Sequence, residues 1–175
     1  AYCGFAIDAG TRDELPQEQG MALTVDVEHG TITFDTGKQP QTGIANFMLK
    51  DNIPYLWLEL NGIPAMMHWD TGMNAKPRLS GKFYAEHASS LPTLGSVRRG
   101  SEITAAGAAE YRYHALGGIC AKIGSREVIL PEVRVVFDTE DMHTAEVPGY
   151  DGQMNNIVDV RRIRIDFENM CVTME

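Results

Sequence analysis

The chain has few cysteines and no long hydrophobic run, and each shortage excludes a class of protein. Its three cysteines, Cys3, Cys120 and Cys171, leave at least one thiol unpaired within the chain. A small scaffold built on disulfide bonds is therefore excluded. Polar residues such as Glu59 and His68 interrupt the most hydrophobic region, and no apolar stretch reaches the roughly 18 residues that a membrane-spanning helix needs. We expect no transmembrane segment.

Positive charge is scarce and is not clustered. The formal net charge is −9, and adjacent arginines occur only as short pairs at 98–99 and 161–162. Proteins that bind nucleic acid depend on clustered lysine and arginine side chains to neutralise phosphates. We therefore expect no nucleic-acid partner.

Patterns typical of metal sites and of activated nucleophiles are also lacking. The five histidines have no spacing to cysteines or acids that predicts a metal site. No serine lies in a Gly-x-Ser-x-Gly motif, and Cys120 and Cys171 lie in strand-like segments without a neighbouring base. The acidic run at 138–141 fits a solvated loop better than a cation site. We expect no metal and no cofactor.

The chain does have the length and the apolar residues for one core. With 175 residues, of which 43% are hydrophobic, a single domain with an appended segment is expected. The chain begins at Ala1 and not at methionine, which fits an exported, processed product and a trimmed chain equally. A periplasmic or secreted location is slightly favoured over a cytoplasmic one.

The sequence at 55–75 is organised to present one carboxylate. Apolar runs lie on both sides of Asn61-Gly62, and Asn-Gly between such runs predicts a tight hairpin turn in which both residues take positive φ. The returning strand ends at Asp70, directly after an apolar run. Asp70 therefore leaves a strand for a loop, where Gly72 allows the backbone to turn or to be approached closely.

Most of the remaining chain is predicted to form short strands. Residues 1–20 lack periodicity and indicate an irregular lead-in, whereas alternation at 23–34 around a turn at His29-Gly30 predicts a hairpin. Further alternating or β-branched runs predict strands at 111–116, 119–123, 127–130, 133–137, 163–167 and 171–174.

Helices are predicted at only two places. An amphipathic pattern at 79–91 predicts a short helix. A turn is predicted at 147–152, and Asn155 or Asn156 would then cap a brief helix that ends at Val160. The expected fold class is therefore all-β with one or two short helices.

The tripeptide at Asp70 also occurs earlier in the chain. Asp35-Thr36-Gly37 ends the first predicted hairpin just as Asp70-Thr71-Gly72 ends the central one. A polar loop follows Gly37, with no helix and no glycine-rich pattern before the next strand. We therefore interpret Asp35 as a turn residue, with a catalytic role as the weaker alternative.

The order of these features resembles that of the retropepsin-like aspartic proteases in their single-lobe bacterial form. The shared features are an apolar strand that runs into Asp70-Thr71-Gly72, a glycine-containing flap region at 105–109, strands from 116 to 136, Asp151-Gly152, and a closing segment at 162–169. The resemblance covers residues 51–175 and implies a closed β-barrel lobe. Residues 1–50 would form an N-terminal extension with a β-hairpin.

Two departures from the family lie beside its functional loops. The family usually has alanine or serine after Asp-Thr-Gly, where this chain has Met73. It usually has two apolar residues and a glycine after Asp-Gly, where this chain has Gln153, Met154 and Asn155.

The resemblance implies aspartic endopeptidase chemistry in a homodimer. Hydrolysis by two carboxylates needs one ionised Asp to take a proton from water while a second, protonated Asp donates to the carbonyl. With one credible Asp70 per chain, the second carboxylate must come from a symmetric copy. Thr71 would then hold the two loops together, and Gly72 would bring backbone N–H groups to the carboxylates.

A flap would close over an extended peptide or protein substrate. The resemblance places the flap tip at Ala106, Gly107 and Ala108, where substrate backbone would pair in β-strand fashion. An alternative from another class is a retropepsin-like binding or assembly module that has lost turnover, because Met73 and the residues at 153–155 depart from the family. The role of residues 1–50 stays open between extra strands, a dimer arm and a pro-segment.

Overall fold

Alternation of apolar and polar residues places most of the described chain in β-strands. The computed structural model describes residues 21–36, 43–51, 53–73, 75–91, 95–104, 107–137, 150–155 and 160–175. One short α-helix accompanies the strands in these residues, so the prediction of an all-β chain with a short helix is confirmed. The expectations for residues 1–20, for the acidic run at 138–141 and for most of the second helix, at 156–159, lie outside the described residues.

The strands are numbered in chain order. They are β1 (Met21–Asp26), β2 (Thr31–Thr36), β3 (Phe47–Lys50), β4 (Ile53–Leu60), β5 (Ile63–Trp69), β6 (Arg78–Leu79), β7 (Arg98–Thr104), β8 (Gly107–Leu116), β9 (Ile119–Ile123), β10 (Arg126–Leu130), β11 (Val133–Phe137), β12 (Gly152–Met154), β13 (Arg162–Asp166) and β14 (Cys171–Met174).

A four-stranded antiparallel sheet, the small sheet, joins early and late parts of the chain. Its strand order is β14-β13-β1-β2. The predicted hairpins β1–β2 and β13–β14 both form, and β1 pairs with β13 from Ala22 to Asp26. Residues 21–36 therefore share a sheet with the last strands of the chain.

A ten-stranded sheet, the large sheet, contains the central hairpin. Its order is β10-β9-β4-β5-β12-β6-β11-β8-β7, and β3 pairs with β4 beside this path. The path is open among the described residues, where no pairing joins β10 to β7, so the closed barrel that the resemblance implies is not found there.

One apolar core lies between the two sheets. Leu56, Met67 and Trp69 of the large sheet belong to the same buried cluster as Ile165 and Val172 of the small sheet. Alternation explains this arrangement, because every second side chain of a strand faces the same side. Burying one side chain of this size contributes about 1.5–3 kcal/mol.

Asn46 connects the two sheets through a polar contact. It is only 6% exposed, and its carboxamide makes two hydrogen bonds to the backbone of one residue. Its Oδ1 accepts from the Val172 backbone N–H at 2.7 Å, and its Nδ2 donates to the Val172 carbonyl at 3.0 Å. Val172 lies in β14, an edge strand of the small sheet, so the side chain of Asn46 takes the place of a neighbouring strand at that point.

The first helix is shorter than predicted. Helix α1 spans Gly81–His87, and a 3-10 turn follows at Ala88–Ser90. The Ser80 hydroxyl accepts a hydrogen bond from the Phe83 backbone N–H and begins the helix there. Residue 79 is not helical, because it lies in β6, whose backbone pairs with β11 and β12.

Two predicted turns are wrong in part. Gly152, predicted within the turn at 147–152, is instead the first residue of β12, and 147–149 lie outside the described residues. Asp35, interpreted as a turn residue, lies inside β2 opposite Ala22. At Gly152, pairing with strands distant in sequence overrides the local turn preference, and at Asp35 the pairing of the β1–β2 hairpin continues past the predicted end of the strand.

Candidate active site

The central hairpin forms as predicted and carries Asp70 at its end. Asn61 and Gly62 have φ of 51° and 81°, the positive values that the tight turn requires. Register is continuous from Leu60 paired with Ile63 to Tyr55 paired with His68. Asp70 is the first residue beyond β5, and its backbone N–H donates to the Met154 carbonyl at 2.8 Å. The end of β5 and this hydrogen bond therefore fix the backbone position from which the Asp70 side chain extends.

The Asp70 carboxylate is partly exposed and is held within its own chain. Its Oδ1 accepts from the Gly72 backbone N–H at 3.0 Å, and its Oδ2 accepts from the Gln153 Nε2–H at 3.1 Å. A carboxylate oxygen has about two acceptor positions. Each oxygen of Asp70 can therefore still accept from water or from another group.

Strand β12 brings Gln153 to Asp70. It lies between β5 and β6, parallel to the first and antiparallel to the second. Asp151, just before it, exchanges hydrogen bonds with Met66. The Met66 backbone N–H donates to Asp151 Oδ2, and the Asp151 backbone N–H donates to the Met66 carbonyl, both at 2.8 Å. These contacts fix β12 against β5.

Gly152 is required for this close approach of strands. A Cβ atom at this position would lie 2.1 Å from the Arg78 carbonyl oxygen and 2.8 Å from Met67 Cε. No other residue type fits without a shift of backbone, because real Cβ atoms do not approach so closely.

Polar and aromatic side chains cover the sheet face that carries Asp70, which we call the site face. His68, Gln153, Arg78 and Arg134 occupy one register across β5, β12, β6 and β11. Directly paired residues in neighbouring strands point to the same side. The opposite face of these strands carries core residues such as Leu79, so the sheet has one apolar face and one polar face.

Three rings pack together at one end of the site face. His68 lies 5.8 Å from Tyr55 and 6.1 Å from Tyr150 between ring centroids. Burial lowers the pKa of His68, an effect that the nearby Asp70 carboxylate opposes. Burial also raises the pKa of Tyr55 and that of Tyr150. Burial therefore favours the neutral form of each of these groups.

Arginines and tyrosines pair at the other end of the site face. Arg134 donates to the Tyr111 hydroxyl at 2.7 Å and to Glu132 at 3.0 Å, and its guanidinium lies 4.4 Å from the Tyr113 ring centroid. The Arg78 guanidinium lies 5.7 Å from the Tyr111 centroid. Contacts of this kind stabilise a cation over an aromatic face.

Met73 follows the Asp70 turn and points into the protein. It is 9% exposed, and its sulfur lies 3.7 Å from an Arg78 nitrogen. The methionine side chain is therefore accommodated within the fold.

The predicted flap residues lie at a hairpin tip. Strands β7 and β8 form an antiparallel hairpin whose last pair is Thr104 with Gly107. Gly107 has φ of 121°, and both Gly107 and Ala108 are exposed. Ala106 lies outside the described residues. The predicted site residues Asp70, Thr71 and Gly72 form the turn after β5, and Thr71 is partly exposed.

Asp35 has a different environment from Asp70. Its Oδ2 accepts from Arg164 at 2.6 Å across the small sheet. A charged cleft also lies near this sheet, and Asp70 does not line it. Its lining residues are Asp26, Glu28, Arg126, Arg161, Arg162 and Glu175. Acids and bases are equal in number there, so it offers no excess of charge to a ligand.

The described residues show no arrangement for metal binding. Across the described part of the chain, no group of three or more His, Cys, Asp or Glu side chains is arranged to hold a metal ion. The helices described there are all too short or too polar to cross a membrane. Cys120 and Cys171 are free thiols within β9 and β14, and burial raises the pKa of Cys171.

Gln153 is a partner of Asp70 that could not be predicted from the sequence. Its only signal was that a polar residue stands where the resemblance implies an apolar one. The arginines and tyrosines of the site face gave no signal, because their proximity depends on strand pairing. A scan against protein-family models finds no match for the chain, and a search of curated proteins finds none.

Proposed function

We propose that this protein is an aspartic endopeptidase of the retropepsin-like type, in which Asp70 from each of two copies activates water. The observation that carries the proposal is the placement of Asp70. Its carboxylate is partly exposed directly after a strand of the large sheet and accepts from the N–H of Gly72 in the following turn. A catalytic carboxylate needs this combination of a fixed position and access to water.

The chemistry requires a second carboxylate. One ionised Asp70 takes a proton from water, and the water oxygen attacks the peptide carbonyl carbon. The protonated Asp70 of the second copy donates its proton to the carbonyl oxygen. Both oxygens of Asp70 retain acceptor capacity beyond their contacts to Gly72 and Gln153, so the contacts within the chain leave room for water and the second carboxyl group.

The hairpin of β7 and β8 supports the same proposal. Its exposed tip carries Gly107 in a backbone conformation that favours glycine. Its base lies in the large sheet, where Tyr111 and Tyr113 contact Arg134 on the side that carries Asp70. An extended peptide between this hairpin and the site face would form backbone hydrogen bonds as a strand does.

A second candidate is a binding or assembly module of the same fold without turnover. The observation that favours it is the Gln153 carboxamide on Asp70 Oδ2, which occupies one acceptor position of the carboxylate. Under this alternative, the protein binds extended peptides and cuts none.

Cleavage of a denatured protein substrate from acidic to neutral pH separates the two candidates. The Asp70→Asn variant should lose activity by roughly a thousandfold or more, because an amide cannot exchange the catalytic proton. Asp35→Asn is the matched control, since it changes the same tripeptide at a site paired with Arg164, and it should keep activity. A metal chelator should have no effect. Activity that survives Asp70→Asn excludes the peptidase proposal.

Mixing experiments test whether two copies share one centre. Excess Asp70→Asn protein should lower the activity of the parent, because mixed dimers contain only one carboxylate, whereas excess Asp35→Asn protein should not. Sedimentation equilibrium on the same samples measures the dimer directly. An active monomer would contradict the shared centre.

A further inference from the structure

The Gln153 carboxamide contacts the proposed catalytic carboxylate directly. Its Nε2 lies 3.1 Å from Asp70 Oδ2, while the Gly72 backbone N–H holds Oδ1 at 3.0 Å. One donor on each oxygen fixes the rotation of a carboxylate about its Cβ–Cγ bond, because turning the group would break both hydrogen bonds. The turn alone holds only one of the two oxygens.

The backbone on both sides of Gln153 is fixed. Gly152 is packed against the Arg78 carbonyl with no space for a Cβ atom. Met154 is 1% exposed, and its carbonyl accepts the Asp70 backbone N–H at 2.8 Å. Gln153 also lies in register with His68 and Arg78 on its two sides. The backbone position of Gln153 on the site face is therefore fixed. A side chain that orients a catalytic group needs such a fixed backbone position.

We propose that Gln153 is a positioning residue for Asp70. Its carboxamide holds Oδ2 in the plane from which the carboxylate takes a proton from water, and Gly72 holds Oδ1. This inference rests on the proposed function and deepens it, because it gives a role to a residue that departs from the family. An apolar residue at this position would leave Oδ2 without the second fixed donor.

The role differs from two simpler ones. Substituting a residue that only stabilises the fold would change the free energy of unfolding without changing kcat. A residue that only binds substrate would change KM. A positioning residue lowers kcat and leaves KM nearly constant, because it acts on the transition state through Asp70.

The contact itself can be tested without activity. In the ¹⁵N-labelled full chain, the two side-chain amide protons of Gln153 should resonate away from the values of exposed glutamines. They should move toward those values in Asp70→Ala and stay unchanged in Asp35→Ala. Gln153 resonances that do not respond to Asp70→Ala would overturn the inference, whatever the activity of the protein.

Two substitutions of similar size test the role in the reaction. Gln153→Met removes the donor and should lower kcat about tenfold to a hundredfold with KM nearly unchanged. Gln153→Glu places a carboxylate against Asp70 and should lower kcat further at neutral pH. The difference in kcat between Gln153→Glu and Gln153→Met should become smaller as the pH falls, because a protonated carboxyl group can donate to Oδ2.

The outcomes separate the inference from the proposed function. The positioning role would be overturned if the variants changed KM and left kcat constant. It would also be overturned if Gln153→Met and Gln153→Glu lowered kcat equally at every pH and both lowered the melting temperature. An inactive parent would remove the proposed function and the catalytic role with it, while the amide resonances would still decide whether Gln153 holds Asp70.

Discussion

The same two residues, Asp-Thr, occur at the end of β2 and directly after β5, and the protein uses them differently. Asp35 lies inside a strand, opposite Ala22, and its carboxylate forms an ion pair with Arg164 at 2.6 Å. Asp70 lies one residue beyond its strand, and its carboxylate accepts from a backbone N–H and from a carboxamide. The Arg164 cation neutralises the Asp35 carboxylate, whereas the Asp70 carboxylate accepts hydrogen bonds from uncharged donors.

The strand before the tripeptide decides the environment of its aspartate. The pairing of β2 continues through Thr36, which is opposite Met21, so Asp35 has no turn to present it. The pairing of β4 with β5 ends before Asp70, and the turn that follows supplies the Gly72 donor. Asp26 combines the two environments, because its Oδ1 accepts the His29 backbone N–H at 2.9 Å. A turn therefore holds this aspartate too, with Arg162 as an added cation.

The largest effect is expected from closing the space that lets β12 reach Asp70. Gly152→Ala places a Cβ atom 2.1 Å from a backbone oxygen, so strands must shift and stability should fall by about 3 kcal/mol or more. Gly30→Ala in the β1–β2 turn is the control. It has φ of 63° and open space, and its strain should cost only about 1 kcal/mol. Urea unfolding of both variants measures the difference, and equal losses would contradict it.

An intermediate loss of stability is expected at low pH, through protonation of Asp26 at the turn of the small sheet. The hydrogen bond from the His29 backbone N–H is the main cause that lowers the pKa of Asp26 from 3.8 to about 2; burial opposes it, and Arg162 and the His29 side chain add to it. The unfolded chain therefore takes up this proton at higher pH than the folded chain. The stability contributed by Asp26 is present above about pH 4 and is lost as the pH falls towards 2.

Urea unfolding at pH values from 5 to 2 measures this loss. The Asp26→Asn variant should show a smaller decrease in stability than the parent across about pH 4 to 2. Parallel curves for the two proteins would show that the turn does not hold the charged form of Asp26.

The smallest effect is expected from Asp35. Asp35→Asn removes an ion pair whose side chains are 45% and 24% exposed, and such pairs contribute at most about 1 kcal/mol. The loss should shrink in high salt because ions screen exposed charges. Unfolding at low and high salt measures it, and a loss of several kcal/mol would make Asp35 a structural centre of the small sheet.

Much of the fold could be predicted because its signals are local. Alternation and the Asn61-Gly62 turn predicted the central hairpin, and alternation also predicted both hairpins of the small sheet. Strands β6 and β12 were missed because two or three residues carry no periodicity. Their pairing joins Gly152 to Leu79 and to Met67, which are far away in sequence.

The candidate site was predictable only in its centre. Asp70 was found from the strand and turn that surround it in sequence, whereas Gln153 reaches it across 83 positions. Asp35 was misread as a turn residue because the tripeptide favours a turn, while pairing with Ala22 keeps it in a strand. Local preference predicts a residue well only where no paired strand, near or distant in sequence, competes for its backbone.

The side chain of Asn46 has a consequence for how copies of this protein behave at high concentration. Strand β14 ends the small sheet, and an unpaired strand is a template on which other chains stack into aggregates. By occupying both the N–H and the carbonyl of Val172, Asn46 blocks that edge at its middle. At this point of the edge, one carboxamide therefore occupies the backbone groups that a strand from another molecule would need.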